Sequence, residues 1–212
     1  MTRNQKTVTI KTIKECFETI LSADKNDSHL AARRVSKLLY SAQCGRDEYQ
    51  DIKNLVNDAP REYDKIVEEW RQEDFVVSIS VIYYLHDKEA QPDFLFPWLF
   101  QLLQHSNGVI RYAAVRMICN EIGPLTVHIR FPGDKFILKG MLKSEQADSI
   151  LYSLFVYLNG LLIALWQPKY KRYKYVDSLP ASKYKSAQMV FARMREDCGA
   201  DYISRFSRYM AD

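Results

Sequence analysis

A spacing of eleven residues constrains this chain more than any other feature. Leu102-Leu103 is followed at that interval by Ala113-Ala114. Ile20-Leu21 stands in the same relation to Ala31-Ala32, Ile66-Val67 to Val77-Ser78 and, more weakly, Met141-Leu142 to Tyr152-Ser153. The copies are offset by 46, 36 and 39 residues. Periods of that size belong to stacked helical hairpins, not to leucine-rich repeats or propeller blades. In each copy the first apolar pair closes one helix against its partner. A short polar turn follows, and the second helix sets small residues where the two cross. A lone hairpin cannot bury its apolar face, so neighbours stack around a shared core.

Composition and local signals agree with helices. Gly and Pro number seven each in 212 residues, too few for the turns of an all-β domain, and 47% of residues are hydrophobic, which excludes a disordered or low-complexity chain. Apolar residues fall three and four apart at Ile10, Ile13, Phe17, Ile20 and Leu21, and again at Leu30, Ala31, Val35, Leu38 and Leu39. Pro60, followed by Glu62 and Asp64, reads as a helix start, as does Gln91-Pro92-Asp93. Gly123-Pro124 reads as a helix end and Pro132-Gly133 as a turn. Residues 125–131 alternate apolar and polar, which predicts a short extended piece. Two C-terminal runs with helical spacing, Met189 to Met194 and Tyr202 to Tyr209, are separated by Cys198-Gly199.

The third copy, residues 99–118, resembles a HEAT repeat. It has a leucine-rich first helix, a polar turn at His105-Ser106-Asn107, then Val109, Arg111 and the Ala113-Ala114 pair. Pro97 is similar to the proline that kinks the first helix in that family. The first copy matches moderately and the second only in its apolar positions, and the resemblance spans roughly residues 8–165. It implies an all-α fold: a right-handed α-solenoid of stacked antiparallel helix pairs, about ten helices long. Asn107 and Arg111 match the family's turn and arginine positions, which implies polar bridging there rather than ligand binding. The expected organisation is one continuous domain: a HEAT-like stack over 1–165, a basic and aromatic connection over 166–186, and capping helices over 187–212.

Several features bear on compartment. Met1 to Lys6 are not followed by an apolar run of signal-peptide length, so the expectation is a cytoplasmic protein. Cys16, Cys44, Cys119 and Cys198 form no close pair, and Cys16 and Cys119 read as buried reduced thiols. His29, His86, His105 and His128 match no metal-binding pattern, so neither a metal nor a cofactor is expected. Residues 149–168 carry no charge, and a run of that length could span a bilayer. Ser153, Asn159 and Gly160 interrupt it, which favours a buried helix in the stack, with Asn159-Gly160 as a candidate break.

The surface most open to a partner is Lys169, Tyr170, Lys171, Arg172, Tyr173, Lys174 and Tyr175, with Lys183 and Lys185. Asp177 is the only acid among them, so residues 169–185 carry +5. Residues 1–14 hold Arg3, Lys6, Lys11 and Lys14, for +4; the total of +4 therefore leaves −5 elsewhere. Cations interleaved with tyrosines suit nucleic acid, where phosphates are neutralised and rings stack on unpaired bases. The same composition suits an acidic protein, an anionic membrane or a solvated loop.

No P-loop, G-x-G-x-x-G or G-x-S-x-G occurs, and no catalytic residue is assigned. One enzyme class shares the HEAT-like architecture, the DNA glycosylases that remove alkylated bases. Trp70 with Glu68 and Glu69, or Trp98 with Asp93, supplies the residue types of an aromatic cleft holding a carboxylate, although core packing explains Trp98 better. The functional expectation is a non-enzymatic interaction or scaffold module that binds a protein partner. The alternative is a nucleic-acid-binding HEAT-like protein of the glycosylase type.

Overall fold

A computed structural model describes residues 12–39, 46–85, 95–133 and 142–209. The fold is all-α: the described residues form eleven α-helices and three short 3-10 turns. Two compact units divide the chain, Met1–Gln91 and Pro92–Asp212.

In the first unit the order is α1 (Ile13–Ser22), α2 (Lys25–Leu39), α3 (Arg46–Asn57), α4 (Ala59–Tyr63), α5 (Glu69–Ile82) and a 3-10 turn at Tyr83–Leu85. A capping box opens α1: Thr12 Oγ1 accepts from the Glu15 N–H at 3.1 Å, and Glu15 accepts from the Thr12 N–H at 3.2 Å. Asp24 does the same work before α2, taking the Asn26 and Asp27 N–H groups. Pro60 lies in the first turn of α4, where its missing N–H costs nothing. Helix α1 packs on α2, and both pack on α5. Phe17 and Phe75 meet edge to face at 5.7 Å, each almost fully buried, and Ile13, Ile20, Ile79 and Ile82 of the same two helices are buried as well. Helix α5 buries residues on several sides, including Asp74, Phe75, Val76, Ser78 and Ile79, so its sequence shows no single apolar stripe.

Arg71 of α5 closes the exit of α1. Its Nη1 donates to the Ile20 carbonyl at 2.6 Å and its Nη2 to the Ala23 carbonyl at 3.0 Å. A guanidinium at a helix C-terminus satisfies orphan carbonyls and opposes their partial negative charge. The Trp70 ring lies 4.5 Å from the guanidinium and helps to hold it there. Arg71→Ala should lower stability by about 2 kcal/mol, because two charge-assisted hydrogen bonds vanish. The urea midpoint measures it; an unchanged midpoint would mean that water replaces the guanidinium.

In the second unit the order is α6 (Phe96–Leu103), α7 (Gly108–Leu125), α8 (Val127–Arg130), α9 (Ser144–Leu165), 3-10 turns at Pro168–Arg172 and Val176–Ser178, α10 (Lys183–Cys198) and α11 (Ala200–Tyr209). Helix α7 packs on α6, α9 and α10. It buries Ile110, Ala113, Ala114, Met117 and Ile118. Asn107 caps it, accepting the Val109 N–H at 2.8 Å. Arg111 Nη1 donates to the His105 and Ser106 carbonyls in the α6–α7 turn, so it bridges groups within its own hairpin. Ser182 caps α10, and Gly199, at φ 80°, sits between α10 and α11 in a conformation that other residues rarely adopt.

Copies one and three of the eleven-residue spacing are helical hairpins, α1–α2 and α6–α7, with both alanine pairs buried. The second copy is not. Ile66 and Val67 lie in the link between α4 and α5, and Val67 is exposed. In the weak fourth, Met141 falls outside the described residues, Leu142 precedes α9, and Ser153 is exposed. Similar apolar pairs therefore arise in this chain without a hairpin. Leu30 is likewise exposed, although it follows the α2 spacing.

Other local expectations also change. Residues 127–130 form one helical turn rather than an extended piece, and the Thr126 hydroxyl bonds the Ile122 and Gly123 carbonyls. Helix α7 runs on through Gly123-Pro124, since a proline in the last turn removes only one bond near a frayed end. Pro97 starts α6 instead of kinking it. Asn159-Gly160 does not break α9. That helix is buried along one stripe only, Ala147, Leu151, Leu154, Phe155, Leu158 and Leu162, because α7 and α10 cover one side. The start signal at Gln91-Pro92-Asp93 lies outside the described residues.

Candidate functional site

The basic and aromatic connection is held to its unit by two of its own members. Tyr170 is buried and stacks on Tyr184 of α10, ring centres 4.5 Å apart and nearly parallel. Lys185 Nζ donates to the Asp177 and Leu179 carbonyls at 2.8 and 2.9 Å. Both hold the connection to its own unit. The other cations, Lys169, Lys171, Arg172, Lys174 and Lys183, are exposed. Arg172 lies over the Tyr173 ring and donates to its hydroxyl at 3.0 Å, while Lys174 lies over Tyr175 at 5.4 Å. Tyr175 is 65% exposed, the most open ring of the stretch. Arg3, Lys6 and Lys11 of the N-terminal basic segment lie outside the described residues.

A groove of about 380 Å³ opens between α6 and α9. Phe96, Pro97, Phe100, Ile150, Leu154 and Tyr157 line it, together with Ser149 and Ser153. Phe100 and Tyr157 are stacked at 4.6 Å, and Tyr157 is 58% exposed. Among the described residues, no acid, basic group or thiol lines the groove. It suits an apolar side chain rather than proton transfer.

Two polar clusters escape sequence reasoning. Ser28 Oγ donates to Asp74 Oδ2 at 2.7 Å, and His29 Nδ1 lies 3.1 Å from Asp74 Oδ1. Nucleophilic catalysis needs the serine on the histidine; here both grip the carboxylate and tie α2 to α5. In the second unit, His128 Nε2 lies 2.7 Å from Asp148 Oδ1, and the Tyr202 hydroxyl donates to the same oxygen. Burial and the Asp148 carboxylate push the Tyr202 phenol well above its ordinary range. The junction fastens α8 and α11 to α9. No spacing in the sequence announces either cluster, because each is assembled from separate helices.

The described cysteines are poor nucleophiles. Burial pushes the Cys16 and Cys119 thiols up to about 11, and burial with the Asp197 and Asp148 carboxylates pushes Cys198 up to about 12. All three are free thiols, and Cys44 lies outside the described residues. At pH 8 roughly a thousandth of Cys16 should be thiolate. Native iodoacetamide treatment with mass spectrometry should therefore leave Cys16 and Cys198 unmodified until denaturant is added. No group of three or more potential metal ligands occurs among the described residues. His86 and Asp93 fall outside them.

Of the residues raised for a base-excision cleft, Asp93 lies outside the described residues. Trp98 is buried in α6. The Trp70 face carries Arg71, which also binds Glu68 at 3.3 Å. Comparison with known family models, curated proteins and solved structures finds no significant match.

Proposed function

We propose that the chain is a non-enzymatic interaction module that holds a protein partner, built from diverged HEAT-type hairpins. The observation that carries this reading is the apolar groove between α6 and α9, open to solvent and lined by stacked rings, with no charged or thiol side chain among the described residues. Aromatic pockets of this kind receive apolar anchors from partner helices and strands. The hairpin reading rests on α1–α2 and α6–α7, whose buried alanine pairs recur at the same interval, and on the Asn107 and Arg111 turn. A cytoplasmic setting remains part of the proposal; the buried free thiols are compatible with it.

Cross-linking in the source cell, followed by reconstitution with the purified cross-linked protein, tests the reading. Tyr157→Glu places a charge at the groove mouth and should weaken the complex about thirtyfold. Tyr157 is exposed, so the far-ultraviolet circular dichroism should not change. A complex of unchanged affinity would remove the groove from the argument.

A further inference from the structure

The far end of α9 has a composition that a water-facing helix does not show. Its exposed positions include Gly160, Ile163 and Ala164, none of them charged. Ile163 is 72% exposed and Trp166 50%. Helices that face water place charged residues on that side. Among the described residues, α9 is also the helix long and apolar enough to cross a bilayer, yet only 28% of its most apolar window is buried within the protein.

Directly after Trp166 the charge becomes uniformly positive. From 149 to 176 there is no carboxylate, and the exposed Lys169, Lys171, Arg172 and Lys174 fall within that span. None of these four forms an ion pair with a carboxylate among the described residues. An apolar strip ending in tryptophan, then a cluster of cations, is the arrangement that seats a helix at a lipid headgroup layer. Because α9 keeps its other side against α7 and α10, it would lie along the surface rather than cross it.

We propose that the C-terminal end of α9 and the connection that follows dock on an anionic lipid bilayer, with Ile163 and Trp166 entering the headgroup boundary and Lys169, Lys171, Arg172 and Lys174 meeting acidic headgroups. The occupant is chosen by charge complementarity together with the uncharged, exposed strip. Nucleic acid would meet the cations and offer bases to the Trp166 ring, but leaves Ile163 without a role. This inference stands apart from the protein-partner groove, whose α9 residues lie between Ser149 and Tyr157.

Flotation of the full chain with vesicles tests it, using phosphatidylcholine alone and phosphatidylcholine mixed with phosphatidylserine. The protein should float with the mixed vesicles at low salt and be released as salt screens the headgroups. Changing Lys171, Arg172 and Lys174 together to Ser should lower partitioning about a hundredfold, given the attraction of each basic residue near such a surface. Trp166→Ala should lower it roughly tenfold while leaving the salt dependence in place. All four side chains are exposed, so the thermal midpoint should hold in both variants. Equal recovery with neutral vesicles, or no recovery with either kind, overturns the proposal. So does displacement of the protein from mixed vesicles by a single-stranded oligonucleotide that binds it independently of Trp166.

Discussion

Ala114→Glu should lower the thermal midpoint of the second unit by roughly 15 °C, equivalent to about 4 kcal/mol. Ala114 is fully buried in α7, a helix in contact with α6, α9 and α10. A glutamate there has no room, and its carboxylate would lose water without gaining a partner. It would either remain charged at high cost or take up a proton, and both outcomes destabilise the fold. Tyr112→Glu supplies the control two residues away. Tyr112 is 56% exposed on the same helix, so its replacement should change stability by less than about 0.5 kcal/mol. Differential scanning calorimetry of the two variants reads the contrast. Equal midpoints would show that the buried face of α7 has been assigned wrongly.

Phe75→Ala should cost the first unit about 4 kcal/mol. The ring is 2% exposed and meets Phe17 at 88° between planes, so truncation removes both buried area and an edge-to-face contact. The buried Ile13, Ile20 and Ile79 belong to helices already packed on one another, which limits how far the core can collapse into the space. Hydrogen exchange should show protection falling across α1, α2 and α5. Phe75→Leu fills part of the cavity and should recover about half of the loss. A variant as stable as the parent would mean that the cavity closes.

Much of the fold was legible because it depends on local periodicity. Ile13, Phe17 and Ile20 fall on one side of a helix whatever surrounds them, and they are buried. The Leu102-Leu103 and Ala113-Ala114 register held for the same reason, and Pro60 and Pro132-Gly133 acted as punctuation. The errors came where a pattern had two solutions. Ile66-Val67 has the same spacing as a hairpin helix yet lies in a link, since Pro60 restarts the chain and α4 ends at Tyr63. Alternation at 125–131 lost to the Thr126 hydroxyl and a turn of helix.

The candidate surface divided in a similar way. Sequence showed the excess of cations over 169–185 but could not separate Lys185, which holds two carbonyls, from Lys171, which faces water. Tyr170 and Tyr175 look alike in the sequence; one is stacked in the core on Tyr184 and the other is open.

Sequence alone therefore determined the all-α class, the two clear hairpins and the concentration of positive charge, since each follows from neighbours within a few turns of chain. Tertiary structure decided which side of α9 is covered, that Arg71 closes α1, and that His128 and Tyr202 converge on Asp148. Those contacts join residues tens of positions apart, and no local propensity specifies which helices will meet.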